Sequence, residues 1–188
     1  MTKNWLLIAC LLMSAGNTLA ESLDFNLNND AARLTFSWDA RDNKLTFDAG
    51  WLHHQDRGDV AHVGLHLVDF AASGPAAPEV GIGGKLFYVD GDTGPVSASG
   101  GALGLGGFFR YNFPQADRFG IRGQLYFAPD VVAFGDSKGY LEASLGLTYD
   151  VLRDADIYIG ARYVKAEFEN TPDMTIDSGL HIGLRLKF

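Results

Sequence analysis

The chain has 188 residues, is 47% hydrophobic, holds one cysteine and carries a formal net charge of −8 from 15 Lys+Arg against 23 Asp+Glu. That acidity argues against nucleic acid or an anionic surface as a partner. The length fits one domain, and a single cysteine cannot form an internal disulfide.

Lys3, the apolar run Trp5 to Met13, the more polar Ser14 to Thr18 and a small residue at Ala20 read as a secretory signal peptide over residues 1–20, cut before Glu21. The apolar run is shorter than the roughly 20 residues a spanning helix needs. Leu7-Ile8-Ala9-Cys10 also looks like a lipoprotein box, although hydrophobicity continues past Cys10. Cleavage after Ala20 removes the cysteine, and with it any thiol nucleophile. It also removes Lys3, taking the net charge from −8 to −9. The domain that remains is 21–188.

From Glu21 onward the hydrophobicity is dispersed by alternation rather than gathered into helical stripes or long apolar runs. Leu23, Phe25 and Leu27 alternate with polar residues, as do Leu34, Phe36 and Trp38, and then Leu45, Phe47, Ala49 and Trp51. Val63, Leu65 and Leu67 oppose His62, Gly64 and His66; Ile82, Leu86 and Tyr88 oppose Gly81, Gly83 and Lys85; Leu103, Leu105, Phe109 and Tyr111 oppose Gly104, Gly106 and Arg110. Further on come Ile121, Leu125 and Phe127, then Leu141 to Tyr149, then Ile157 to Tyr163. The last run sets Ile176, Ser178, Leu180, Ile182, Leu184, Leu186 and Phe188 against Asp177, Gly179, His181, Gly183, Arg185 and Lys187. Period-2 strands of this length, each apolar on one face, predict an all-β, closed, antiparallel, up-and-down transmembrane β-barrel of about ten strands, within a range of roughly 8 to 12.

Two further patterns agree with that fold. With both termini in the periplasm, the turns at Arg41-Asp42-Asn43, Pro114 to Phe119 and Leu152 to Ala155 are short and inner, whereas His53 to Asp59, Asp90 to Gly101, Ala128 to Lys138 and Ala166 to Thr175 are expected to be longer outer loops. Asn29-Asp30 and Phe70 to Pro78 depart from that asymmetry. Aromatic residues fall late in the strands: Trp51, Tyr88, Phe127 and Tyr163 at one interface, and Trp38, Tyr111, Tyr149 and Phe188 at the other. In a soluble sandwich the same aromatics would fill a core.

The apolar parity is nearly free of charge. The other carries Asp24, Asp48, Lys85, Arg110, Arg122, Glu142, Arg162, Asp177 and Arg185, which predicts charged lumen residues pairing across a narrow interior, with glycines on the same parity leaving room for the long side chains. Such a lumen is either a structural network or a narrow passage for small solutes. His62 and His66 would share a strand face about 13 Å apart, too far for one ion, so no metal site is predicted. His53-His54 with Asp56 and Asp59 could serve a surface hydrolase, yet no serine adjoins them. Gly81-Ile82-Gly83-Gly84-Lys85 and Gly104-Leu105-Gly106 lack the spacing of phosphate or dinucleotide loops, and no cofactor is expected.

Across the signal segment, Leu45 to Trp51, Val80 to Tyr88, Leu103 to Tyr111 and the terminal His181-Ile182-Gly183-Leu184-Arg185-Leu186-Lys187-Phe188, the chain resembles the YfaZ family of small outer-membrane proteins. The resemblance implies an outer-membrane location, surrounding outer-membrane lipid, and no catalytic residues to carry over. Leu184, Leu186 and the terminal Phe188 look like the signal through which the barrel assembly machinery recognises its substrates. The expected function is thus a non-enzymatic outer-membrane barrel, structural or a narrow pore. A surface barrel that cleaves lipid or peptide and a soluble periplasmic binding barrel are the alternatives.

Overall fold

A computed structural model describes residues 20–40, 44–73, 77–94, 96–169 and 171–188. The signal segment before Ala20, the Cys10 box and the Arg41-Asp42-Asn43 turn lie outside the described residues. The strands are β1 (Ala20–Leu27), β2 (Ala31–Ala40), β3 (Leu45–His54), β4 (Gly58–Phe70), β5 (Glu79–Asp92), β6 (Ser97–Phe113), β7 (Ala116–Ala128), the short β8 (Ala133–Gly135), β9 (Ser137–Leu152), β10 (Ala155–Phe168) and β11 (Met174–Lys187). Each long strand pairs antiparallel with its neighbours in sequence, and β11 returns to β1 from Ser22 opposite Lys187 to Leu27 opposite Ile182. Ten strands therefore close the wall. The seam is completed by reciprocal backbone bonds of 2.9 Å between Glu21 and Phe188. Among the described residues closure leaves the ten-stranded wall without an open edge, the condition for placing a sheet in hydrocarbon.

The alternation decides which face meets which solvent. Ile82, Leu105 and Leu180 are 69%, 66% and 70% exposed on the outer wall, while Asp48, Lys85 and Arg162 are buried inside. An apolar band of this extent is unsuited to water and fits lipid. The predicted girdle residues lie on this outer wall at its two ends. Trp51 and Tyr88 flank Ala61 in one cross-strand row near the rim opposite the termini, here the distal rim. At the terminal rim Trp38 stacks on Phe47 at 5.5 Å, and Phe119 packs against Tyr149 at 4.9 Å.

The predicted outer loops are largely absorbed by strand. Only 55–57 separate β3 from β4, and β5 and β6 reach Asp92 and Ser97. The cause is that hairpin pairing continues past the lipid-facing band: Asp59 still opposes Asp90, and Asp92 opposes Ser97. β7 stops at Ala128, and the freed edge of β6 is taken by β8 through Gly100 to Ala102.

Parity changes once in the last strand. Val164 opposes Asp177 while Lys165 opposes Thr175, so Ile176 is the extra residue of a bulge. Ile176 therefore points inward beside Asp177, both essentially fully buried, rather than onto the oily face that strict alternation assigns it.

Candidate functional site

The interior is divided into two layers. The distal layer is apolar: Leu52, Val60, Phe87, Tyr126, Tyr140, Val164, Phe168 and Ile176 come from the distal ends of seven strands and form one buried cluster. Phe87 of β5 and Tyr140 of β9 stack across the lumen at 4.1 Å, with Tyr126 edge-on to Phe87 at 6.1 Å. The rim above adds contacts, for Arg57 donates to the Thr175 carbonyl at 3.0 Å over the short β1–β2 turn, and the Glu169 N–H donates to the Asp136 carbonyl at 2.7 Å. Alternation alone does not reveal this layer. The signal is the loss of alternation at the same strand ends, where Trp51-Leu52, Leu86-Phe87-Tyr88-Val89 and Tyr163-Val164 are apolar on both faces.

The layer toward the terminal rim is ionic. Arg33 Nη1 reaches Glu142 Oε1 at 2.7 Å, and Arg122 Nη1 reaches Asp24 Oδ2 at 2.7 Å. Both pairs span the lumen, joining β2 to β9 and β7 to β1. Arg185 donates to Asp156 at 2.7–2.8 Å and Arg162 to Asp177 at 2.5 Å, each within the β10–β11 pair. Arg110 sits directly opposite Arg122 in the ladder, yet turns to Glu79 at 2.6 Å, near the rim. Tyr158 donates to Asp24, and Asn26 donates to Tyr158 at 3.0 Å. All nine lumen charges read from the sequence face this interior. Arg33 and Asp156, which complete it, are absent from that set although each lies on the wet parity of its strand.

The predicted long-chain occupants of the glycine gaps are joined by rings. A Cβ at Gly104 would lie 2.7 Å from Phe87, and one at Gly183 2.3 Å from Tyr158. Gly64 serves charge directly: it stands between Asp48 and Lys85 in one row across β3, β4 and β5, and a Cβ there would lie 2.5 Å from the Asp48 carboxylate. The gap lets Asp48 Oδ1 and Lys85 Nζ approach to 3.2 Å across an intervening strand.

Asp48 also gathers the two histidines. His62 Nε2 lies 3.0 Å from one carboxylate oxygen and His66 Nδ1 3.1 Å from the other, while the His66 Nε2 and the Tyr126 hydroxyl are 2.8 Å apart. Strand spacing separates the histidines from each other, but both lean toward a third residue on the next strand. Among the described residues no group of three or more His, Cys, Asp or Glu side chains is arranged to hold a metal ion.

The other histidine pair is split by the pleat. His53 faces outward and contacts Asp59 at 2.9 Å, whereas His54 is buried and accepts from the Asp56 N–H. Among the described residues neither is hydrogen-bonded to a hydroxyl.

Between the ion pairs and the terminal rim lies a polar cavity with about 80 Å³ available to water centres, enough for several waters. Ser22, Ser37 and Arg110 line its rim side, and Asp48, Lys85 and His181 its depth.

The family model described as "YfaZ precursor" matches residues 3–188. A curated relative from Escherichia coli (strain K12), named "Outer membrane protein YfaZ", is 26% identical over 186 residues and covers 96% of both chains. Among solved structures, the KdgM porin in complex with disordered oligogalacturonate matches at 12% identity and a TM-score of 0.46, covering 90% of this chain and 99% of that one. The NanC porin matches at 10% identity and a TM-score of 0.45, covering 91% and 100%.

Proposed function

The chain belongs to the YfaZ family and is an outer-membrane β-barrel protein, and from that premise we propose that it is a non-enzymatic barrel with a blind lumen rather than a through-pore. The observation that carries this reading is the apolar layer at the distal end, where the Phe87 and Tyr140 rings stack inside the lumen within one buried cluster. A dewetted apolar constriction resists ions because nothing in it replaces their hydration. On this reading the ionic layer below is structural: Arg33–Glu142 and Arg122–Asp24 tie opposite walls together, and the cavity opens toward the periplasm on the side of the termini. The outer-wall aromatics anchor the two lipid interfaces, and the exposed His53–Asp59 pair is a solvated contact.

The test is conductance. Purified protein reconstituted in a planar bilayer is expected to give no discrete current steps, with insertion verified by heat-dependent gel mobility. Reproducible steps from the unaltered protein would overturn the blind lumen.

Recognition by the assembly machinery belongs to the same proposal. Phe188 is 66% exposed on the outer wall, while its backbone alone closes the seam to Glu21. Phe188→Ala keeps those backbone bonds and removes the ring. It is expected to lower the amount of protein reaching the outer membrane several-fold, while refolding in detergent proceeds as for the unaltered chain. Equal outer-membrane yields would rule out the ring as the signal.

A further inference from the structure

The walls of the terminal-side cavity are not electrically balanced, even though the ion pairs are. Among the described residues Arg33, Lys85, Arg110, Arg122, Arg162 and Arg185 all line it, against only Asp24 and Asp48 among the acids. Of the other carboxylates of these pairs, Glu142, Asp156 and Asp177 are at most 1% exposed and do not line the cavity, and Glu79 is held by Arg110 near the rim. The cavity thus sees cationic faces inside a chain whose overall charge is negative.

Donors remain unused there. Arg33 and Arg122 each give only Nη1 to their carboxylates, and the Arg122 guanidinium lies over the Tyr158 ring, 4.4 Å from its centre. His181 lines the same cavity, is 7% exposed, and its buried Nδ1 has no hydrogen-bond partner among the described residues. Unpartnered polar atoms in buried sites carry a desolvation cost that a ligand or water removes. Guanidinium forks match the paired oxygens of a small oxyanion. Ser22, Ser37 and Ser144 add hydroxyls to the lining, and the free volume is that of several waters.

We propose that this cavity binds a small oxyanion of the phosphate, sulfate or carboxylate class, entering from the terminal rim and held by the Arg122 fork and His181. The inference rests on the blind lumen proposed above, because a cavity closed at one end retains a ligand rather than passing it.

Inorganic phosphate is the probe. Refolded protein in detergent is titrated with phosphate at constant ionic strength, with chloride as the filler salt, and binding is followed by calorimetry and by broadening of the phosphorus resonance. A saturable isotherm is expected. His181→Leu, which removes the donor at similar bulk, should weaken it about tenfold. Arg122→Lys keeps the charge but loses the fork, and should weaken it several-fold while serving if the first variant fails to fold. A non-saturable response, or unchanged affinity in both variants, would overturn the site. Current steps that phosphate blocks would instead overturn the blind lumen and leave the site standing; a silent bilayer with no saturable phosphate binding would do the reverse.

Discussion

Asp48→Asn is expected to destabilise the barrel by about 3 kcal/mol, a loss that appears as a clear drop in the urea concentration at which the unboiled gel band disappears. Asp48 is the only acid within salt-bridge distance of Lys85 among the described residues, and Lys85 is 4% exposed. The asparagine leaves the ammonium buried without a paired carboxylate, beside the Tyr126 ring at 4.6 Å. It also leaves His62 and His66 without the carboxylate they share. Removing one partner of a buried pair costs about 3–5 kcal/mol, and the lower figure applies because the cavity beside Lys85 admits water. Asp69→Asn is the control. Asp69 pairs with Lys44 at 2.5 Å at the terminal rim, but both side chains are about 60% exposed, and no measurable shift is expected. Equal responses from the two variants would show that the Asp48 cluster does not hold the wall together.

What the sequence discloses and what it hides follow from the two solvents the barrel meets. Lipid outside and charge inside make adjacent residues chemically opposite, so Leu184, Arg185 and Leu186 assign their own faces, and ten such runs assign the wall. Where the interior turns apolar that contrast disappears. Leu52 beside Trp51, and Phe87 between Leu86 and Tyr88, read as more of the lipid face, and the distal layer stays hidden in runs that only look more hydrophobic. The bulge at Ile176 is lost for a related reason: an extra residue moves one side chain to the other face without changing composition. Pairing partners are harder still. Arg110 and Arg122 lie opposite each other in the ladder but look to Glu79 and Asp24, one beside the strand and one across the lumen. Strand register fixes the first of those contacts, whereas only closure of the whole sheet creates the second.

The distal layer is also where a small change should have the largest functional effect. The double substitution Phe87→Ala with Tyr140→Ala removes both rings of the stack inside the lumen and is expected to convert a silent barrel into one giving discrete current steps in a planar bilayer. Neither ring belongs to the lipid-facing wall, since both are at most 2% exposed, so the strands that close the barrel keep their outer contacts. The loss is nonetheless costly. A buried Phe→Ala change removes about 3–5 kcal/mol, and Tyr140 also gives up its bond to Glu142 at 2.9 Å, so heat-dependent gel mobility must first show that the variant folds. Phe87→Ala alone, which leaves the Tyr140–Glu142 bond intact, provides the milder step and should give smaller or rarer openings. Below the breach an ion meets the cavity lined by Arg33, Lys85 and Arg122, so the opened barrel should favour anions, read as a reversal potential displaced toward that of chloride in a salt gradient. A folded double variant as silent as the unaltered protein would move the closure from the Phe87–Tyr140 layer to the rim contacts of Arg57 with Thr175 and of Glu169 with Asp136, which lie above it and survive the substitution.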